Sequence, residues 1–119
     1  NYITDFSHFK AVLDGWTFNS SDFTEIEVHS GDLIYADPPY DVQFTNYSAG
    51  GFGWEQQELL VEWLLQHDGP VVASNQATER VLALYRARGF TVRLLQAPRK
   101  ISRTGDRTPA QEMLALRGV

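Results

Sequence analysis

The chain has 119 residues, the length of one small domain, and is 43% hydrophobic and 21% charged, the composition of ordinary soluble globular material. No apolar run approaches the ~18 residues of a membrane span. The absence of cysteine excludes a disulfide framework, a thiolate nucleophile and a cysteine zinc site. His8, His29 and His67 lie far apart and form no metal-binding pattern, so no metal site is expected. The chain begins at Asn1 and shows no signal-peptide pattern, which leads us to expect a piece of something longer or a processed chain.

The net charge of −5 hides a division along the chain. Residues 1–79 carry thirteen acidic side chains and a single basic one, Lys10, whereas residues 80–119 carry nine basic side chains against Asp106 and Glu112. Arg86 and Arg88 fit a helix end, where cations complement the helix dipole. Arg99, Lys100, Arg103 and Arg107 instead crowd a short segment containing Gly, Thr and Pro. Their mutual repulsion calls for an anion or an acidic neighbour, and phosphate is the anion that dominates nucleic-acid affinity.

In chain order, Ser7 to Leu13 reads as a helix with Ser7 as N-cap and Gly15 as stop. Trp16-Thr17-Phe18 is a short β-prone run, and a one-turn helix is expected around Phe23 to Glu27. Leu33-Ile34-Tyr35-Ala36, bounded by Gly31-Asp32 and Asp37-Pro38-Pro39, reads as a buried strand. Residues 41–53 are polar, aromatic and glycine-rich and read as a mobile loop. Trp54 to Gln66 has helical spacing, with Leu59, Leu60, Trp63 and Leu64 as its apolar stripe. Val71-Val72-Ala73 is a strand. Thr78 caps a helix running to Arg88, with Val81, Leu82, Leu84 and Tyr85 on its apolar face and Gly89 as its stop. Phe90 to Leu95 is a strand, residues 101–109 a loop, and Glu112 to Leu116 a last strand. Strands alternating with helices predict a mostly parallel α/β sheet, and the last two strands, with no helix between them, predict an antiparallel pair.

Asp37-Pro38-Pro39-Tyr40 stands at the carboxyl end of a predicted parallel strand, where open α/β sheets place their ligands. Two prolines fix the backbone and remove two N–H donors. What faces a ligand is then acceptor-only, the Asp37 carboxylate and the Pro38 carbonyl, with Tyr40 adding an aromatic face. The combination suits an exocyclic amine on a planar base. Two acceptors take the two amine hydrogens and favour a pyramidal nitrogen whose lone pair leaves conjugation and attacks. Acceptors that hold the attacking geometry better than the ground state lower the barrier. Deprotonation before attack is not required, because the proton becomes acidic only after the nitrogen is alkylated. The plain alternative is a strand, a Pro-Pro turn and a packed tyrosine.

Here the sequence resembles the Dam-type (D12 class) DNA adenine-N6 methyltransferases, whose catalytic signature is Asp-Pro-Pro-Tyr. Phe44-Thr45-Asn46-Tyr47 and Phe52, followed by Glu55-Gln56-Gln57, look like the family's active-site loop and following helix. Ser74-Asn75 ends the next strand as in the family. Arg99-Lys100-Ile101-Ser102, Gly105-Asp106-Arg107 and Glu112-Met113-Leu114-Ala115-Leu116 resemble its closing loop and strand, and Asn19-Ser20-Ser21-Asp22-Phe23 its acidic–aromatic step. The resemblance implies a partial Rossmann-like fold that uses S-adenosylmethionine (AdoMet), with a C-terminal antiparallel strand. It implies that Asp37, Pro38, Pro39 and Tyr40 form the catalytic motif, with Asp37 and the Pro38 carbonyl on the amine and Tyr40 stacked on the base. Asp22 would accept from the cofactor's adenine amine, with Phe23 against the ring and Asp37 also near the cofactor. Ser102, Arg103 and Arg107 would meet phosphates of double-stranded DNA beside a flipped adenine, near Phe44 and Tyr47.

Each assignment has a plainer reading. Asp22 can be a turn or helix cap, Phe44, Tyr47 and Phe52 packing anchors, and Ser74 and Asn75 groups that satisfy backbone at a strand end. The family's N-terminal Phe-x-Gly-x-Gly cofactor loop and its target-recognition domain have no counterpart in residues 1–119, so the chain is expected to be the C-terminal portion of a catalytic domain. It would need the N-terminal half, in cis or in trans, and would expose sheet edges without it. No membrane partner is expected, and a cytoplasmic, bacterial or phage setting is implied. RNA adenine methylation and a non-catalytic nucleic-acid-binding role are the alternatives. Asp37 disfavours cytosine N4 and protein glutamine, whose enzymes show Asn or Ser before the Pro-Pro pair.

Overall fold

A computed structural model describes residues 7–42, 52–97 and 110–119. Within them the elements are helix α1 (Ser7–Leu13), a single 3-10 turn (Phe23–Glu25), strand β1 (Ile34–Ala36), helix α2 (Trp54–Leu65), strand β2 (Val71–Gln76), helix α3 (Glu79–Ala87), and strands β3 (Thr91–Ala97) and β4 (Ala110–Arg117). No helix among the described residues is long and apolar enough to cross a membrane.

The four strands form one sheet in the order β1-β2-β4-β3. Strand β1 pairs parallel with β2, while β4 pairs antiparallel with both β2 and β3. The sheet is therefore mixed, with the expected C-terminal antiparallel strand. Strands β1, β2 and β3 do run the same way, but β4 slots between β2 and β3, leaving β1–β2 as the parallel pair. The expected antiparallel pairing of the last two strands is present, and β4 gains a second antiparallel neighbour.

Side chains alternate between the faces of a strand. Val71, Ala73 and Asn75 of β2 stand opposite Arg117, Ala115 and Met113 of β4. Val71, Ala73, Asn75, Met113 and Ala115 are buried, and they pack with Leu60, Val61 and Leu64 of α2 and Val81 and Tyr85 of α3. This face is the core. The buried stripe of α2 is Gln57, Leu60, Val61 and Leu64. Val61 takes the place expected of Leu59, which is 45% exposed. Tyr35 and Ser74 belong to the opposite face.

Helix α3 shows how local chemistry sets its ends. The Thr78 hydroxyl accepts from the Val81 amide at 3.3 Å, capping the first turn. At the other end Gly89 takes φ +87, its amide donates to the Arg86 carbonyl, and the Phe90 amide reaches back to the Tyr85 carbonyl. These are the two bonds of a Schellman motif. Its apolar contact is the edge-to-face pair of Phe90 and Tyr85, with ring centroids 5.1 Å apart.

Local pattern fails in one place. Trp16-Thr17-Phe18 forms no strand. Its rings are 61% and 72% exposed, and a strand needs a ladder partner that no described residue supplies. Among the described residues helix α1 runs from Ser7, as expected. Of the expected loop, residues 41, 42, 52 and 53 carry neither helix nor strand, with Asp41 buried and Phe52 packed against the core, and residues 43–51 lie outside the described residues.

Candidate active site

Strand β1 ends at Ala36, opposite Ala73 of β2, and the next four residues are Asp37-Pro38-Pro39-Tyr40. The motif thus leaves the sheet at the carboxyl end of β1, beside the last three residues of β2. Asp37, Pro38 and Pro39 line a cavity of about 670 Å³ that Asp22, Phe23, Ile34, Phe52, Leu60 and Trp63 also help to enclose. Its size suits a small organic ligand or cofactor. Asp22 and Phe23, fifteen and fourteen positions before Asp37, are brought to the same cavity as the motif. Tyr40 is half-buried and stands outside that lining.

The cavity wall is aromatic. Phe23 meets Trp63 edge-on at 5.6 Å between centroids and Phe52 at 6.3 Å. Asp22 caps the 3-10 turn, one carboxylate oxygen accepting from both the Thr24 amide and the Thr24 hydroxyl. The capping role is therefore present, and it coexists with a place on the cavity wall.

A set of polar contacts holds the motif from behind. Gln57 donates through Nε2 to the Pro39 carbonyl at 2.8 Å, while its Oε1 accepts from Asn75 Nδ2 at 3.0 Å. Asn75 Oδ1 accepts from the amides of Asp41 (2.9 Å) and Gln76 (2.8 Å). Asn75 thus does satisfy backbone, both of its own strand and of the residue that follows the motif. The Asp41 carboxylate accepts from Thr78 Oγ1 and Arg80 Nε, each at 2.8 Å, and its other oxygen from Arg80 Nη2. The Arg80 hydrogen bonds hold the Asp41 carboxyl below the ordinary carboxylate range despite burial. Arg80 also lies over the Trp54 ring, 4.4 Å from its centroid, in cation–π contact.

On the front of the motif, Ser74 donates to Asp37 Oδ1 at 2.7 Å and accepts from the Tyr35 hydroxyl at 3.3 Å. Tyr40 shares this neighbourhood: burial raises its phenol above the usual range, Ser74 hydrogen bonding opposes that, and the Glu112, Asp37 and Tyr35 side chains reinforce it.

Phe44, Tyr47, Ser102, Arg103 and Arg107 lie outside the described residues. The described ends of the basic segment, Ala97 and Ala110, pair with each other. They lie at the same end of the sheet as Gln76 and the motif, because β3 runs with β1 and β2.

Asp41, Gln57, Trp63 and Arg80 are not among the site residues expected from the sequence, although Trp63 was placed on the apolar stripe of α2 and Gln57 in the segment that resembles the family's helix. One signal was available for Gln57: it sits three and four positions before Leu60 and Val61, a polar side chain on the buried stripe of α2. Such a group must be hydrogen-bonded.

The D12 class of N6 adenine-specific DNA methyltransferases matches this chain over residues 3–101. The chain belongs to that family. It is 35% identical over 103 residues to the retron Ec67 DNA adenine methylase of Escherichia coli, a match covering 83% of this chain and 35% of that protein. It is 36% identical over 95 residues to the DNA N-6-adenine-methyltransferase of Escherichia phage P1, covering 72% of this chain and 13% of the relative. This D12 chain therefore spans about a third or less of the length of the curated relatives it matches, and its mixed α/β sheet is consistent with a methyltransferase fold.

Proposed function

We propose that this chain carries the amine-holding half of an AdoMet-dependent DNA adenine-N6 methyltransferase, acting together with an N-terminal half in cis or in trans. The observation that carries the reading is one cavity shared by Asp37-Pro38-Pro39 at the tip of β1 and by Asp22 and Phe23. Strands β1, β2 and β3 would continue a partial Rossmann-like sheet, with β4 as its antiparallel insertion.

The residues present fit the cofactor. Asp22 offers a carboxylate for an exocyclic adenine amine, and Phe23, Phe52 and Trp63 offer aromatic faces for the ring. When bound, AdoMet supplies an electrophilic methyl group. Asp37 and the Pro38 carbonyl accept the two hydrogens of the adenine N6 amine and draw its lone pair out of ring conjugation. Gln57 takes the Pro39 carbonyl and so fixes the loop that presents the Pro38 carbonyl. Tyr40 stacks on the base. The adenine must leave the duplex, since its amine is otherwise paired. After methylation the nitrogen releases a proton, for which Asp37 is the adjacent acceptor. Ser102, Arg103 and Arg107 are assigned to backbone phosphates, and Phe44 and Tyr47 to the neighbourhood of the flipped base.

The test is Asp37→Ala in the full-length protein, assayed by transfer of labelled methyl groups to DNA duplexes. Turnover should fall about 100-fold or more, while DNA affinity changes little. Turnover close to that of the unaltered protein would refute the assigned role.

A further inference from the structure

Ser74 is 4% exposed, and its backbone is paired with Leu114 in the β2–β4 ladder. The ladder already engages that backbone, so the hydroxyl is available for another partner. A serine hydroxyl has one hydrogen to donate and two lone pairs to receive. The hydrogen goes to Asp37 Oδ1 at 2.7 Å, and Tyr35 donates into the oxygen at 3.3 Å. Tyr35, on the same sheet face, is 61% exposed, so this buried oxygen links a surface phenol to the motif carboxylate.

Asp37 itself is exposed and follows the last residue of its strand. An exposed aspartate is free to rotate about two side-chain bonds unless something holds it, and a hydrogen bond to a charged acceptor from a buried, rigid donor does so. We infer that Ser74 is the positioning residue for Asp37, holding Oδ1 so that Oδ2 is presented to the target amine. The inference rests on the methyl-transfer reading above and adds a residue to it. Ser74 touches neither the methyl donor nor the base and acts through Asp37. Tyr35 in turn orients the Ser74 hydroxyl, because its own hydrogen occupies one of the two lone pairs.

The experiment compares Ser74→Ala and Ser74→Thr in the full-length protein, with single-turnover methylation, KM for duplex DNA and melting temperature as readouts. Ser74→Ala should lower the methylation rate about 10- to 100-fold, the range expected for losing a hydrogen bond to a charged group, and leave KM within about two-fold. Ser74→Thr, which keeps the hydroxyl, should recover most of the rate. If Ser74→Ala fails to fold, Ser74→Cys, similar in shape and a weak donor, takes its place under the same criteria. A rate within about two-fold of the unaltered protein, or a loss that Ser74→Thr does not recover, overturns the inference. The two failures separate cleanly. An active Asp37→Ala protein removes the amine-holding role of Asp37 on which the inference rests, whereas an inactive Asp37→Ala protein beside an active Ser74→Ala protein removes only the positioning role.

Discussion

Arg80 grips the Asp41 carboxylate with two nitrogens while its guanidinium covers the Trp54 ring. One side chain at the start of α3 thereby joins the residue after the Asp-Pro-Pro-Tyr motif to the first residue of α2. Asp41 is 6% exposed, so its charge depends on this partner and on Thr78. Its carboxyl is held below the ordinary value of 3.8, chiefly by the Arg80 hydrogen bonds. A depressed folded-state value means that the stabilisation is present above the unfolded-state value and is lost as pH falls through the folded one. Asp41→Asn should therefore melt at a lower temperature than the unaltered protein at pH 7. The gap should begin to close as pH drops below about 4, where the unfolded chain takes up the proton, and vanish once pH has fallen through the lower folded-state value. Thermal melts at a series of pH values check this, and a gap that is constant with pH would count against it.

The wall formed by Phe23 predicts a binding phenotype. Phe23→Ala removes a ring that touches Trp63 and Phe52 and opens the cavity. AdoMet affinity of the full-length protein should fall about 10-fold or more, in keeping with losses on truncating a buried aromatic anchor. Titration followed by calorimetry measures it. Asp22→Asn keeps a cap for the 3-10 turn but presents a mixed donor and acceptor in place of two acceptors. It should weaken AdoMet more than it lowers the melting temperature.

Gly89 offers a test of the fold independent of catalysis. A Cβ there would meet nothing within 4 Å, so the cost of Gly89→Ala comes from its φ of +87 alone. That cost should be about 1 kcal/mol in urea denaturation, with Gly89→Asn milder because asparagine tolerates the left-handed region.

Tyr85 packs its ring in the core, yet its hydroxyl is buried with no hydrogen-bond partner among the described residues. Burial pushes its phenol up to about 12. Removing an unsatisfied buried hydroxyl relieves its desolvation cost, so Tyr85→Phe should be neutral or stabilising by about 1 kcal/mol. The raised value also implies that the folded state resists ionisation. The unaltered protein should lose stability as pH rises from 10 towards 12, and the Phe variant should lack that component. Alkaline melts of the two proteins decide the point.

Much of the candidate site was legible because its residues are contiguous. Asp37 to Tyr40 are consecutive residues behind an apolar run, and Asp22-Phe23 form an adjacent pair, so the resemblance that picked them out did not depend on long-range geometry. The caps of α3 were legible for the same reason: Thr78 and Gly89 act within one turn of themselves. What could not be read depends on distance. Asp41 and Arg80 are 39 positions apart, Gln57 and Pro39 18, and Ser74 and Asp37 37. Hydropathy patterns carry no record of such pairings. Strand order was hidden too, since Glu112 to Leu116 is a nearly continuous apolar run that fits any neighbour. The β-prone Trp16-Thr17-Phe18 misled because propensity expresses itself only where a ladder exists.

The interior position of β4 bears on biosynthesis. Strands β2 and β3, made earlier by the ribosome, cannot be bridged until Ala110 to Arg117 emerges and inserts between them. Ser74 and Asn75 gain their β4 neighbours at the same moment. Translation that stops before residue 110 would leave Asp37 without a finished platform and two open strand edges exposed to aggregation. The Asp37-Pro38-Pro39-Tyr40 motif thus gains its full sheet support only when β4 arrives.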